Sequence, residues 1–111
     1  RTHLPREEYI GWLSCCDVLL GNSSSGIIEA ASFGTPVVNV GSRQNLRERN
    51  TNVVDVPANL NDVRAALTDA LAHGRHSPFN IYGDGKAGRR IVDLLATTAL
   101  TPALIAKCNA Y

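Results

Sequence analysis

The sequence has 111 residues, 44% of them hydrophobic and 19% charged, proportions that fit one globular domain and exclude a disordered or collagen-like chain. With 11 Lys and Arg against 10 Asp and Glu, the net charge of +1 sets up no field that would draw in nucleic acid or an anionic bilayer. No apolar run approaches the roughly 20 residues of a membrane helix and no secretory leader pattern opens the chain, so a soluble, cytoplasmic protein without nucleic-acid or membrane partners is expected.

The first predicted element is a helix opening at Pro5. Glu7 and Glu8 face the positive end of its dipole, and Tyr9, Trp12, Leu13 and Cys16 recur at helical spacing as its buried stripe. Residues 17–20 are a short apolar run ending at Gly21, the length and flanks of a fully buried strand. Gly21-Asn22-Ser23-Ser24-Ser25-Gly26 turns the chain into a helix that starts at about Ser24 or Ser25, continues to Phe33 and stops at Gly34 with Thr35-Pro36 behind it. Residues 37–40 are a second buried strand. Residues 41–51 lack apolar periodicity and form a long loop, and residues 52–56 before Pro57 are a third strand.

Leu60, Val63, Ala66, Leu67, Ala70 and Leu71 repeat at three and four, which predicts a helix capped near Asn61-Asp62 and ended by Gly74. Residues 75–85 are loop. A last helix from about Lys86 to Thr98 buries Ile91, Leu94 and Leu95, and the tail from Thr101 adds a short turn or helix.

Apolar strands alternating with amphipathic helices predict an α/β fold, a Rossmann-like parallel sheet with right-handed crossovers and flanking helices on both faces. Ligands of such open sheets bind outside the carboxyl ends of the strands, which selects residues 21–26, residues 41–51 and whatever follows Val56. Cys15, Cys16 and Cys108 are odd in number and form no C-x-x-C pair, and His3, His73 and His76 are scattered. Neither a metal site nor a disulfide framework is predicted, and the cysteines read as small buried apolar residues. Methionine is absent, position 1 included, so the chain is expected to be an excerpt from a longer protein.

The bend Gly21–Gly26 joins a strand to a helix start, so the amides of Ser24, Ser25 and Gly26 point outward with the dipole behind them, the geometry of an anion site. The hydroxyls of Ser23, Ser24 and Ser25 add donors, and Gly26 leaves room for a phosphate oxygen. The alternative is that the serines only cap the helix. Glu29 shifts the balance: a carboxylate among Ile27, Ile28, Ala30 and Ala31 needs a salt bridge or a ligand's hydrogen bonds, and one turn beyond a phosphate-binding bend it can reach the two hydroxyls of a ribose. In the second loop, Arg43, Arg47 and Arg49 crowd around Glu48. Arg43, nearest the strand end, suits a diphosphate, whereas Arg49, and with it Arg47, reads as a solvated charge run.

Two motifs are set aside. Gly83-Asp84-Gly85-Lys86-Ala87-Gly88 spells G-x-G-x-x-G, but no strand precedes it and no acid lies about 20 residues beyond, so it reads as a turn and helix start. The Ser-rich bend is no P-loop, because Ile27 and Ile28 follow Gly26 where Lys and Ser or Thr would stand. No Ser-His-Asp or paired-carboxylate constellation emerges.

Gly21-Asn22-Ser23-Ser24-Ser25-Gly26-x-x-Glu29, then Gly34-Thr35-Pro36-Val37-Val38-Asn39-Val40-Gly41-Ser42-Arg43-Gln44, then Tyr82-Gly83-Asp84-Gly85 resemble, in order and spacing, the C-terminal part of UDP-N-acetylglucosamine 2-epimerases, particularly the hydrolysing branch that feeds sialic acid synthesis. The resemblance runs from about His3 to Leu95. It implies the C-terminal half of a GT-B type two-domain enzyme, with a partial UDP-binding Rossmann-like domain over residues 1–100 and a tail or short helix over residues 101–111. By the same resemblance Ser23, Ser24, Ser25 and Gly26 hold the diphosphate, Glu29 the ribose hydroxyls, Arg43 the phosphate side of UDP, and the segment at His3 borders the uracil. The family's G-x-R-Q-x-G-R-E becomes Gly41-Ser42-Arg43-Gln44-Asn45-Leu46-Arg47-Glu48, with Leu46 where a glycine is usual.

The implied reaction converts UDP-N-acetylglucosamine to N-acetylmannosamine plus UDP, by UDP elimination and epimerisation at C2. It uses no cofactor and no metal, and its acid and base groups lie outside this chain. The implied partners are UDP, UDP-N-acetylglucosamine, the missing N-terminal domain and further copies in a homo-oligomer. The alternatives are the nucleotide-sugar-binding domain of a GT-B glycosyltransferase and a non-catalytic α/β interaction module.

Overall fold

The structure is a computed structural model that describes residues 3–106. The elements in chain order are α1 (Arg6–Cys15), β1 (Leu19–Gly21), α2 (Ser24–Ile28), a 3₁₀ segment (Ala30–Phe33), β2 (Val37–Val40), β3 (Val53–Val56), α3 (Leu60–His73), α4 (Ala87–Thr97) and α5 (Pro102–Ile105). The three strands form one parallel sheet in the order β1-β2-β3, so the α/β architecture with flanking helices is the one the alternation implied.

Register rows explain which strand residues are buried. Leu19, Val37 and Val53 are partners across the sheet, and this row carries the core, in which Leu13, Ala30 and Val37 pack with Tyr9, Ile10, Leu19, Phe33 and Val53. On the opposite face Leu20, Val38 and Val54 are aligned. Val38, in the central strand, is fully buried, but Leu20 and Val54 on the outer strands are about half exposed. Burial, expected of the first two strands, therefore holds for the interior of β2 and not for β1.

The stripe of α1 is made by Tyr9, Ile10 and Leu13. Trp12 lies about 200° round the helix from Ile10 and is exposed, as is Cys15, while Cys16 is half-buried. Burial raises the Cys16 thiol above its ordinary value, with Arg75 pulling the other way. Cys108 lies outside the described residues. The cap of α3 is Asn59, whose side chain accepts from the Asp62 amide, two residues ahead of the expected position.

A second departure concerns α4. Ile91, Leu94 and Leu95, expected inside, are each more than half exposed, because the described residues leave this apolar face uncovered. The tail contributes α5, capped by Thr101.

Gly34 ends the 3₁₀ segment with φ 65°, and a Cβ there would meet the His76 carbonyl oxygen, so only glycine fits. Close by, the buried Thr35 hydroxyl donates to the Leu13 carbonyl at 2.7 Å. Arg75 donates to the carbonyls of Phe33 at 3.0 Å and Cys16 at 2.9 Å. These bonds close the joint between α1, the 3₁₀ segment and the loop after α3.

Candidate functional site

The bend after β1 differs from the expected anion cradle in instructive ways. Ser23 caps α2, its hydroxyl accepting from the Ser25 amide at 3.3 Å, and the Gly26 amide is bonded to the Ser23 carbonyl at 3.2 Å. Two of the three amides expected to face outward thus have local partners, and the Ser24 amide has none among the described residues. The helix also breaks at Glu29 instead of running to Phe33, so α2 spans only Ser24–Ile28. Little more than one turn of dipole stands behind the bend, and hydroxyls must supply much of any anion affinity.

Ser25 is tied inward, its Oγ accepting from the Tyr9 hydroxyl at 2.7 Å. Gly26 is buried against the sheet: a Cβ there would lie 2.9 Å from Val37 Cγ1 and 3.2 Å from Leu19 Cδ2. The residue is glycine because α2 approaches β1 and β2 closely, and the expectation that it makes room for a phosphate oxygen is corrected on that ground.

Glu29 sits at the junction of α2 and the 3₁₀ segment, still in αR geometry. Its carboxylate has the partner its surroundings demanded, Arg6 at 2.9 Å, with side chains 25% and 77% exposed respectively. Such an open ion pair is worth at most about 1 kcal/mol, so a pair of ligand hydroxyls can join or replace Arg6. Glu29 faces two depressions. One, of about 250 Å³, is lined by Ser24, Ser25, Ile28 and Glu29. The other, of about 370 Å³, includes Arg6, Tyr82, Asp84 and Arg90 in its walls. A larger groove of about 540 Å³ runs between α3 and the sheet, but Val37, Val54, Val56, Ala66 and Ala70 make it chiefly apolar, and it includes none of the expected site residues.

The loop after β2 is fastened to the bend by Gln44, which is buried and donates from Nε2 to the Asn22 carbonyl at 2.9 Å. Arg43 is exposed and makes no hydrogen bond or ion pair with the described residues. Arg49, expected in solvent, is instead the clasp of the loop. Its Nε and Nη2 grip the Asp55 carboxylate at 2.9 and 3.1 Å, and Nη1 donates to the carbonyls of Gln44 at 2.9 Å and Arg47 at 2.6 Å. The Arg49 bonds, with one from Asn39, hold the Asp55 carboxyl below its ordinary value. Leu46 is fully exposed and has φ 69°, the left-handed geometry a glycine adopts without cost. The loop thus carries local strain at Leu46, a residue with a Cβ in left-handed geometry.

A third segment, residues 78–85, closes the far side. Tyr82 donates from its hydroxyl to the Glu48 carbonyl at 2.9 Å, and Asp84 accepts a forked pair from Arg90 at 2.8 and 2.7 Å. That pair, followed by the Lys86 amide, lowers the Asp84 carboxyl to about 2. The Gly83–Gly88 stretch is a turn leading into α4, with no strand before it.

The fold therefore gathers Ser23, Ser24, Ser25, Gly26 and Glu29 in one place and sets the Arg43 loop beside them. His3 is exposed ahead of α1 and makes no hydrogen bond or ion pair with the described residues, and neither His3 nor Arg43 lines the two depressions. Arg6, Gln44, Asn50 and Asn80 escaped the sequence reading. Arg6 alone left a local trace, a cation in the first turn of a helix, where the dipole disfavours it. The others act across separations of 22 to 52 residues that no periodicity encodes.

Comparison with known proteins finds relatives of this sequence. A family model described as UDP-N-acetylglucosamine 2-epimerase matches residues 1–96. The chain is 53% identical over 109 residues to a UDP-N,N'-diacetylbacillosamine 2-epimerase (hydrolyzing) of Legionella pneumophila, covering 98% of this chain and 29% of that protein. It is 38% identical over 65 residues to a GDP/UDP-N,N'-diacetylbacillosamine 2-epimerase (hydrolyzing) of Campylobacter jejuni, covering 59% of this chain and 16% of the relative. Polysialic acid biosynthesis protein P7 of Escherichia coli is 40% identical over 57 residues, 51% of this chain and 15% of its own length. The chain thus spans less than a third of the length of these relatives.

Proposed function

Because the chain belongs to the UDP-N-acetylglucosamine 2-epimerase family, we propose that it is the nucleotide-holding part of a hydrolysing UDP-sugar 2-epimerase. In this reading residues 1–100 are the UDP-binding domain of a two-domain GT-B enzyme and the chain acts only with its other domain present. The observation that carries the reading is the grouping of Ser24, Ser25 and Glu29 around one open depression in a chain of this family.

The hydroxyls of Ser23 and Ser24 and the Ser24 amide take the diphosphate, Arg43 swings to its outer oxygens, and Glu29 accepts from the ribose hydroxyls. Elimination of UDP builds negative charge on the departing phosphate oxygen, and donors placed there beforehand stabilise that charge as it forms. Arg43 has no competing partner among the described residues to give up. The proton at C2 is handled by groups outside this chain. Arg6 holds the Glu29 carboxylate in an ion pair at 2.9 Å beside the depression until ligand arrives.

The substrate class is a UDP-linked 2-acetamido sugar. UDP-N-acetylglucosamine is one candidate. The 53% identity to the Legionella protein favours UDP-N,N'-diacetylbacillosamine as the other. Isothermal calorimetry of the 111-residue chain with UDP tests the holding role: binding is expected, weakened at least tenfold in Glu29→Ala and in Arg43→Ala. Binding by both variants at the parent affinity refutes the assignment. With the full enzyme, product release from the two UDP-sugars compared side by side identifies the substrate.

A further inference from the structure

The break at Glu29 needs an explanation, since nothing in Ile27-Ile28-Glu29-Ala30-Ala31 forbids a continuous helix. In a continuous helix the carbonyls of Ile27 and Ile28 would accept from the amides of residues 31 and 32. Instead the Ser32 amide turns to the Glu29 carbonyl at 3.0 Å, the tighter 3₁₀ pattern, and buried carbonyls left behind at such a break are costly unless capped.

Both carbonyls are capped by side chains from distant loops. Asn50 donates from Nδ2 to the Ile27 carbonyl at 3.2 Å, and Asn80 donates from Nδ2 to the Ile28 carbonyl at 2.8 Å and to Ser32 Oγ at 2.7 Å. The two asparagines are also joined to each other, Asn50 Nδ2 to Asn80 Oδ1 at 3.4 Å. Their remaining acceptor capacity is used on the third segment: Asn50 Oδ1 takes the Ile81 amide at 2.9 Å, and Asn80 Oδ1 takes the Tyr82 amide at 3.0 Å. Every amide and carbonyl of the pair has a partner, and Asn50 is buried. Such a satisfied network specifies one arrangement, and a half-satisfied one would not.

We propose that Asn50 and Asn80 are positioning residues that hold the break between α2 and the 3₁₀ segment and so set the direction in which Glu29 is presented. The proposal deepens, and rests on, the ribose-binding reading of Glu29. Without the Asn80 amide, the Ile28 carbonyl is free to take back the Ser32 amide and regularise the helix. Successive side chains then step by about 100° instead of about 120°, and Glu29 shifts relative to Ser24 and Ser25. The same pair ties the third segment to the site, so an element remote in sequence controls ribose recognition through the placement of Glu29.

The test is a calorimetric series on the 111-residue chain with UDP and with inorganic pyrophosphate as probes, in Asn80→Ala, Asn80→Asp, Glu29→Gln and the double variant Asn80→Ala/Glu29→Gln. Asn80→Asp keeps the acceptor for Tyr82 and Asn50 and loses the donor to the Ile28 carbonyl and Ser32 Oγ, so it decides the matter if Asn80→Ala fails to fold. Both Asn80 variants are expected to weaken UDP at least fivefold and to leave pyrophosphate within twofold, and the double variant should bind UDP no worse than Glu29→Gln alone. UDP affinity unchanged, UDP and pyrophosphate falling together, or losses that multiply in the double variant would each overturn the proposal. Parent affinity in Glu29→Gln would sink the ribose reading instead. In that event amide exchange at Glu29 and Ser32 judges the positioning role separately: a change of tenfold or more in Asn80→Asp, with α3 unaltered, supports it, and no change refutes it.

Discussion

Replacing Gly26 by alanine separates two reasons for having glycine in the bend, room for a ligand and room for the sheet. The added methyl would lie 2.9 Å from Val37 Cγ1 and 3.2 Å from Leu19 Cδ2, against about 3.5–4.0 Å for an unstrained carbon contact. Leu19 can yield at the end of its side chain, whereas the β-branched Val37 on the central strand is held at χ1 and has little freedom. Overpacking of this kind costs about 1–3 kcal/mol, offset by up to about 1 kcal/mol from the better helix propensity of alanine. The net expectation is a loss of about 1–2 kcal/mol, or roughly 4–15 °C in Tm for a domain of this size. Urea denaturation followed by circular dichroism measures it. Val37→Ala combined with Gly26→Ala should lose less than the two single losses added together, because the smaller partner relieves the contact. UDP affinity of the folded Gly26→Ala chain should stay within about twofold of the parent, because the Cα faces β1 and β2. A variant as stable as the parent but unable to bind UDP would show that the Cα faces ligand, and the packing explanation would be wrong.

The Arg49–Asp55 clasp predicts an acid-sensitive loop. Its folded carboxyl titrates below the usual 3.8, so the stability it contributes is complete above about that pH and is lost as pH falls through the lower folded value. Arg49→Ala should flatten this acid limb and lower stability at neutral pH by about 1–2 kcal/mol through lost charge-assisted hydrogen bonds. An acid limb of parent shape in Arg49→Ala would rule the clasp out. Leu46→Gly removes a left-handed penalty of about 1–2 kcal/mol but adds unfolded-chain entropy of about 0.4–1 kcal/mol, for a net gain of up to about 1.6 kcal/mol in stability. A measured loss would mean that the exposed leucine has a contact that outweighs its strain.

Much of the fold was legible because local chemistry and long-range packing agree. The alternation of apolar strands and amphipathic helices implied the parallel sheet, and Gly34 and Gly74 stop their elements where the pattern ends. The misreadings have physical causes. Spacing alone puts Trp12 in the stripe of α1, but the core touches α1 along Tyr9, Ile10 and Leu13. The pattern of α4 predicts a buried face that the structure leaves exposed, because amphipathicity reports the need for a partner without supplying one. Arg49 looked like one more charge in a basic run, yet the parallel pairing of Asn39 with Asp55 brings a carboxylate within its reach.

In the candidate site, spacing along the chain marks the serine bend, the carboxylate one turn beyond it and the arginine-bearing loop, because a strand-to-helix bend and the residues that flank it are local features of the sequence. Which groups those residues face was settled elsewhere. Tyr9 claims Ser25, the sheet claims the open side of Gly26, and side chains from loops 22 and 52 residues away fasten Asn22 and cap Ile28. Sequence order lists donors and acceptors but says nothing of distances between segments. Only packing three loops at the rim of one small sheet determines which of them meet.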